Sequence, residues 1–179
     1  MIKGFNDLIY YLKCDRVALN KSGFPRFFGD EVWKFQVLLR FTEFFINVNR
    51  WYLKPFEFFF RYFKYSLGVK LGFSIPNNTF GPGLRIAHYG FIVVNSECRI
   101  GSNCTVHAGV NIGKNLNSIG APKLGNNIYI GPGVKIFGDI ELADYIKIGA
   151  NSVVNRSFNE SGVTIVGIPA RKLASKYSN

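Results

Sequence analysis

At 179 residues with 47% hydrophobic side chains, the chain is long enough to bury one sizeable core and too apolar to be disordered. No apolar run approaches the roughly 18 residues that a membrane-spanning helix needs. The net charge of +11 comes from singly dispersed Lys and Arg without a basic cluster of nucleic-acid type, which favours a phosphorylated cofactor or an anionic membrane surface as the acidic partner, not nucleic acid.

The N-terminus has no apolar segment followed by a small-residue cleavage site, so no secretory signal is expected. Three cysteines (Cys14, Cys98, Cys104) are an odd number without zinc-type spacing and suit free thiols in a reducing compartment. A cytoplasmic protein is expected, with membrane association left open. Residues 1–30 read as a short helix around Leu8, Ile9, Tyr11 and Leu12, then a loop with Gly23, Pro25 and Gly29. From Asp30-Glu31, a start suited to a helix N-terminus, Trp33, Val37, Leu38, Phe41, Phe44, Phe45 and Val48 recur at helical spacings. Pro55 interrupts, and residues 56–67 predict a further helix that closes an N-terminal helical subdomain, 1–67. Phe and Tyr are so dense here that several rings must lie outside any buried stripe. Three roles compete for them: closing the open strand edge of the following domain, forming an oligomer interface, or anchoring peripherally at a membrane surface beside Arg40, Arg50, Lys54, Arg61 and Lys64.

Residues 68–179 form the second unit. Aliphatic residues recur every six positions, first Val94, Ile100, Val106 and Ile112, then Leu124, Ile130, Ile136, Leu142, Ile148 and Val154. Four positions after each comes a second compact side chain: Cys98, Cys104, Val110, Ile128, Val134, Ile140, Ile146 and Ser152. A period of six fits neither a helix nor a hairpin meander, but it fits a parallel β-helix of hexapeptide repeats with both sets pointing inward. Three hexapeptides make a coil of about 18 residues, and coils stack at roughly 4.8 Å. The solenoid starts imperfectly over 68–93, with Val69, Ile75, Gly81, Gly83, Leu84 and Ile86. The regular repeat would place residue 88, a His, inside; Ile86 is expected to take that place while the next two residues bulge outward. Residues 114–122 lack an aliphatic-Gly start and predict a loop thrown out from one corner. After Val154, residues 163–166 predict a last strand and Pro169 a stop.

The two histidines, His88 and His107, stand 19 positions apart, close to one coil, so they should share a corner on neighbouring coils. Around them, Gly83-Leu84-Arg85-Ile86-Ala87-His88-Tyr89-Gly90-Phe91-Ile92-Val93-Val94, Val110-Asn111-Ile112-Gly113, Gly149-Ala150-Asn151-Ser152-Val153-Val154 and Gly167-Ile168-Pro169-Ala170-Arg171 resemble serine O-acetyltransferases over roughly 68–173. The resemblance implies a left-handed β-helix, a hand that the usual crossover rule would not supply, and acetyl-CoA as donor with no metal. It makes His88 the general base. It places Gly131, Gly133, Gly149 and Ala150 along the pantetheine arm and Arg171 and Lys172 on the phosphates. His107 is expected to assist catalysis from the next coil, and Tyr89, Asn111 and Lys123 to meet the acceptor. An imidazole with a reference pKa of about 6.5 can take the hydroxyl proton, a contribution of typically 10²–10⁴-fold, and glycine-rich corners suit backbone N–H groups that meet an oxyanion.

Three departures bear on the acceptor. Phe73, beside Ser74, stands where the serine enzymes have a carboxylate partner for the base; Ala87 replaces an Asp; and the loop reads Ala121-Pro122-Lys123 where they have a second His. The His-Tyr-Gly form with a downstream Val-His resembles the hexapeptide enzymes that acetylate sugars and surface polysaccharides. The expected activity is therefore O-acetylation of a sugar or polysaccharide-precursor hydroxyl, with serine O-acetyltransferase of cysteine biosynthesis and a non-catalytic scaffold as alternatives. The zinc carbonic anhydrases of this fold need three His per metal, and two cannot supply them. A homotrimer is expected, because one flat prism face offers no deep pocket and the 114–123 loop can reach a neighbour.

Overall fold

The computed structural model describes residues 1–116 and 118–173. Three α-helices come first: α1 (Phe5–Ala18), α2 (Glu31–Val48) and, after a single 3-10 turn Trp51–Leu53, α3 (Lys54–Leu71). Pro55 does not interrupt a helix. It lies in the first turn of α3, where a missing N–H costs nothing because that turn's donors have no intrahelical partner. α3 also runs past the expected end at residue 67, so Val69 is an exposed residue of its last turn and not the first repeat position. Gly72, at φ +79°, ends the helix in the left-handed conformation, and a Cβ there would stand 3.2 Å from the Gly90 backbone. The change from helix to solenoid therefore falls at Gly72.

Beyond it the chain winds into three parallel sheets that form the sides of a prism. One side holds β1 (Phe73–Ser74), β3 (Ile92–Val94), β6 (Asn111–Gly113), β9 (Lys135–Phe137) and β12 (Val153–Val154). The second holds β4 (Arg99–Ile100), β7 (Lys123–Leu124) and β10 (Glu141–Leu142). The third holds β2 (Arg85–Ile86), β5 (Thr105–Val106), β8 (Tyr129–Ile130), β11 (Lys147–Ile148), β13 (Thr164–Gly167) and β14 (Ala170–Lys172). β13 and β14 pair antiparallel, so the expected last strand is followed by one more, and Pro169 lies in the hairpin turn between them and not at a stop.

Register shows where the coils depart from regularity. Lys123 pairs with Glu141, 18 positions on, but Arg99 pairs with Lys123, 24 positions on. The six additional residues fall within the predicted loop, 114–122, between β6 and β7. At the start, Ile86 pairs with Val106, 20 positions on, whereas Val94 pairs with Ile112, 18 on. Two residues are thus inserted between Ile86 and Val94, which is the expected outward bulge. Every aliphatic of the two six-residue series is buried, and so is each member of the second inward set. Among these, burial pushes the thiols of Cys98 and Cys104 up to about 11 and about 12, which keeps them protonated and unreactive. Ser152 is the polar exception inside, and its hydroxyl accepts the Gly167 N–H at 3.1 Å.

The open edge of the first coil is closed by polar side chains of α1 and α2. The Arg40 guanidinium donates to Phe80 O at 3.0 Å and Gly81 O at 2.7 Å, and Asp15 Oδ1 accepts the N–H groups of Gly83 and Leu84 at 2.8 and 2.9 Å. Gln36 bridges Leu84 O at 2.7 Å and Ile86 N–H at 3.3 Å, and Glu43 accepts from Asn78 N–H at 2.7 Å. Arg40 joins the two carboxylates, at 2.7 Å to Asp15 and 3.0 Å to Glu43. Edge closure, the first of the three roles weighed for the aromatic residues, is done by these four polar residues. The aromatic contribution is Phe35, which packs edge-on against Phe73 at 5.0 Å.

Candidate active site

The bulge after β2 lifts Ala87, His88 and Tyr89 to the corner between the third and first sides. His88 and Tyr89 are exposed. One coil below, Thr105 faces out, Val106 in and His107 out, as period-two alternation requires. The two imidazole centroids lie 6.2 Å apart with planes inclined at 49°, so the expected shared corner exists. Tyr129, one coil further, closes edge-on over His107 at 5.2 Å. Beneath that ring, Nε2 of His107 is cut off from solvent and has no hydrogen-bond partner among the described residues. Leaving such an atom unsatisfied costs about 1–3 kcal/mol, a cost that a bound hydroxyl or carbonyl would remove. Burial lowers the pKa of His107, and the charges of His88 and Arg85 lower it further.

His107 also heads a column. Its N–H donates to Ile130 O, the Gly131 N–H to Ile148 O and the Gly149 N–H to Ile165 O, so Gly131 and Gly149 lie below it on successive coils. The column under His107 therefore has no side chain at Gly131 and Gly149, a strip flanked by Tyr129 and Lys147 and followed by Val166, on which an extended arm can lie. Packing independently accounts for the glycines: a Cβ on Gly131 would meet Ile148 O at 2.8 Å, and one on Gly149 would meet Val166 Cγ1 at 2.6 Å. Gly133, at φ +73°, is hemmed in by Asn151 at the next corner, and Ala150 is exposed beside Gly149. The N–H groups of Gly109, Gly131, Gly133 and Gly149 are engaged between coils and that of Gly90 by Leu71 O at the end of α3, so these glycines have no free N–H to offer an oxyanion. Arg171 and Lys172, on β14, stand at the far end of the same sheet. Arg171 is exposed, and Lys172 is paired with Glu160 at 2.6 Å.

The acceptor residues divide. Tyr89 is in the bulge, and Asn111 lies just around the corner on β6, half-buried between Val93 and Lys135. Lys123 is on the second side, where its ammonium pairs with Glu141 at 3.0 Å; a single chain does not bring it to the histidines. No carboxylate is hydrogen-bonded to either histidine among the described residues. Phe73 points into the core, and Ser74 lies on β1, which pairs with β3 and not with the strand leading to His88. Two contributors escaped the sequence reading, Tyr129 and Arg85. Both face outward, in one row with Thr105, and the signal that would have aligned them is the length of the inserted loop. A cavity of about 460 Å³, lined by Tyr10, Lys13, Cys14, Arg85 and Thr105 among others, opens along that row between α1 and the sheet.

No family model matches the chain. It is 36% identical over 98 residues to the serine acetyltransferase of Synechococcus elongatus, covering 54% of this chain and 40% of that protein. It is 40% identical over 96 residues to the serine acetyltransferase of Staphylococcus epidermidis, covering 52% of this chain and 45% of that one. The chain thus spans less than half the length of these curated relatives. Among solved structures, a truncated serine acetyltransferase apoenzyme superposes with a TM-score of 0.73 and 26% identity over 94% of this chain and 71% of that one. A serine acetyltransferase in complex with CoA superposes with a TM-score of 0.72 and 25% identity over 94% and 70%. The fold is accordingly the left-handed parallel β-helix of the hexapeptide-repeat acetyltransferases, with an N-terminal helical segment. Within that class the named relatives are serine enzymes, not members of the sugar and polysaccharide group that the His-Tyr-Gly form resembles.

Proposed function

We propose that the chain transfers an acetyl group from acetyl-CoA to a hydroxyl at the His88–His107 corner. The observation that carries this reading is the imidazole pair 6.2 Å apart, with one unsatisfied ring nitrogen, at the head of the Gly131–Gly149 strip. The acceptor oxygen bonds to the acetyl carbon, the carbon–sulfur bond breaks and the thiolate leaves. His88, exposed and at the open end of the corner, takes the hydroxyl proton as general base. Burial, first, and the Arg85 guanidinium lower the pKa of His107 and so favour its uncharged form, in which the unsatisfied Nε2 serves as a hydrogen-bonding group. The strip under His107 takes the pantetheine arm, and Arg171, free of ion pairs among the described residues, meets the phosphates at its far end.

Serine is the acceptor that the named relatives favour. A sugar hydroxyl is the second reading, and a specific observation supports it: Ala121 and Pro122 are buried, and Lys123 is paired away on another side. Residues 121–123 therefore present no group to an amino-acid carboxylate at the histidines of the same chain. Thiolate release from acetyl-CoA, measured with serine and with a panel of sugars and nucleotide sugars, separates the two. Release with serine alone supports the first; release with sugars alone supports the second; none with any acceptor sinks the transferase. A homotrimer completes the site, since none of the described cavities contains either histidine, and a groove between two prisms would enclose the corner.

A further inference from the structure

We infer that the outward face of α3, with the turn that precedes it, docks on a bilayer surface bearing anionic headgroups. α3 buries only Gly68 and Leu71 fully. Phe58, Tyr62, Tyr65 and Val69, spaced i, i+4, i+7, i+11, form one exposed stripe; Phe56, Phe59 and Phe63 form a second beside it. Phe63 and Lys70 share the rim of a cavity with Phe27, itself exposed with Phe24 and Phe28, so the apolar surface continues onto the 24–28 loop. Such a surface exceeds the scattered apolar exposure normal for a soluble face and calls for an occupant.

Charge selects the occupant. From residue 50 to 71 the chain carries Arg50, Lys54, Arg61, Lys64 and Lys70 against one carboxylate, Glu57, which Lys54 already pairs with at 2.7 Å. Lys64 turns inward to Asn77 at 2.9 Å. Arg50, Arg61 and Lys70 are left around the rings without an ion pair among the described residues. A two-fold contact through this face would set one cation-rich patch against another, with its single carboxylate, Glu57, already paired, whereas anionic headgroups answer the unpaired cations directly. Among the described residues no helix is long and apolar enough to cross a membrane. A helix with aromatic stripes, a cationic fringe and Trp and Tyr at its edge instead lies in the interfacial plane.

Trp51 is a built-in reporter, because it is 84% exposed at the head of this face while Trp33 is 3% exposed. The intact chain is mixed with extruded vesicles of phosphatidylcholine, with or without phosphatidylglycerol, then sedimented and its tryptophan emission read. The expected result is pelleting with the anionic vesicles and a blue shift, both fading as salt rises. Arg61→Glu and the double variant Phe58→Ser/Tyr62→Ser should each weaken partitioning about tenfold or more. Arg61→Glu alters no buried contact and carries the test if the double variant folds poorly. Failure of the chain to pellet, variants that pellet like the parent, or a double variant whose mass in solution drops because copies separate would each overturn the inference.

Discussion

At the scale of single residues, the two histidines differ in what surrounds them. His88 sits on a bulge in the open, and His107 lies under Tyr129 with an unsatisfied nitrogen. His88→Ala should lower kcat by at least about a hundredfold and leave acetyl-CoA affinity nearly unchanged. His107→Ala should cost less, and the reverse order in steady-state kinetics would make His107 the base. The lowered pKa of His107 also has a thermodynamic consequence. The unfolded chain binds a proton at this site below about pH 6.5 while the folded chain resists it, so His107 makes stability fall as pH drops through and below that value. Melting temperatures recorded downward from neutral pH should decline less steeply in His107→Gln than in the parent. Gly149→Ala tests the strip: the new methyl would stand 2.6 Å from Val166 Cγ1, so that stiff β-branched side chain must shift and some melting temperature is lost. The KM for acetyl-CoA should rise about tenfold, equivalent to about 1.4 kcal/mol, measured at a temperature where the variant is fully folded.

At the scale of elements, the helices and the first coil are joined by one buried ionic group. Arg40 and Asp15 are fully buried, and Asp15 holds two strand N–H groups in addition to the guanidinium. Arg40→Met should therefore destabilise the chain by about 3–5 kcal/mol in urea titrations, because two carboxylates are left buried without their counter-charge. Adding Asp15→Leu should not restore stability, as it can where an ion pair stands alone, since the N–H groups of Gly83 and Leu84 would then be orphaned. Recovery to the parental midpoint would show that the helices do not close the edge in this way. The sequence placed α2 through its apolar spacing, but that same spacing hid Gln36, Arg40 and Glu43. A polar residue on a helix reads as solvent-facing until the backbone it will satisfy is known.

At the scale of the whole molecule, the corner with the histidines is open on one chain. Light scattering at micromolar concentration should report about three times 20.2 kDa. A stable and fully active monomer would remove the shared groove and the role given to the loop between β6 and β7. That loop carries Leu116 and Ile119 exposed to solvent, which a neighbouring prism would cover.

The sequence alone determined the solenoid, its inward residues, the outward bulge at His88 and the loop before Lys123. A six-residue period is local and repeats, so each of these follows from counting along the chain. Lys123 shows the limit. Its position in the motif suggested the site, yet side membership depends on how many corners lie between it and His107, and the chain turns onto the second side first. Tyr129 and Arg85 show the converse, since they reach His107 only through pairings 24 and 20 positions apart whose lengths the inserted residues set. What stacks on what in a solenoid is a sum over every coil, and only the tertiary structure carries that sum.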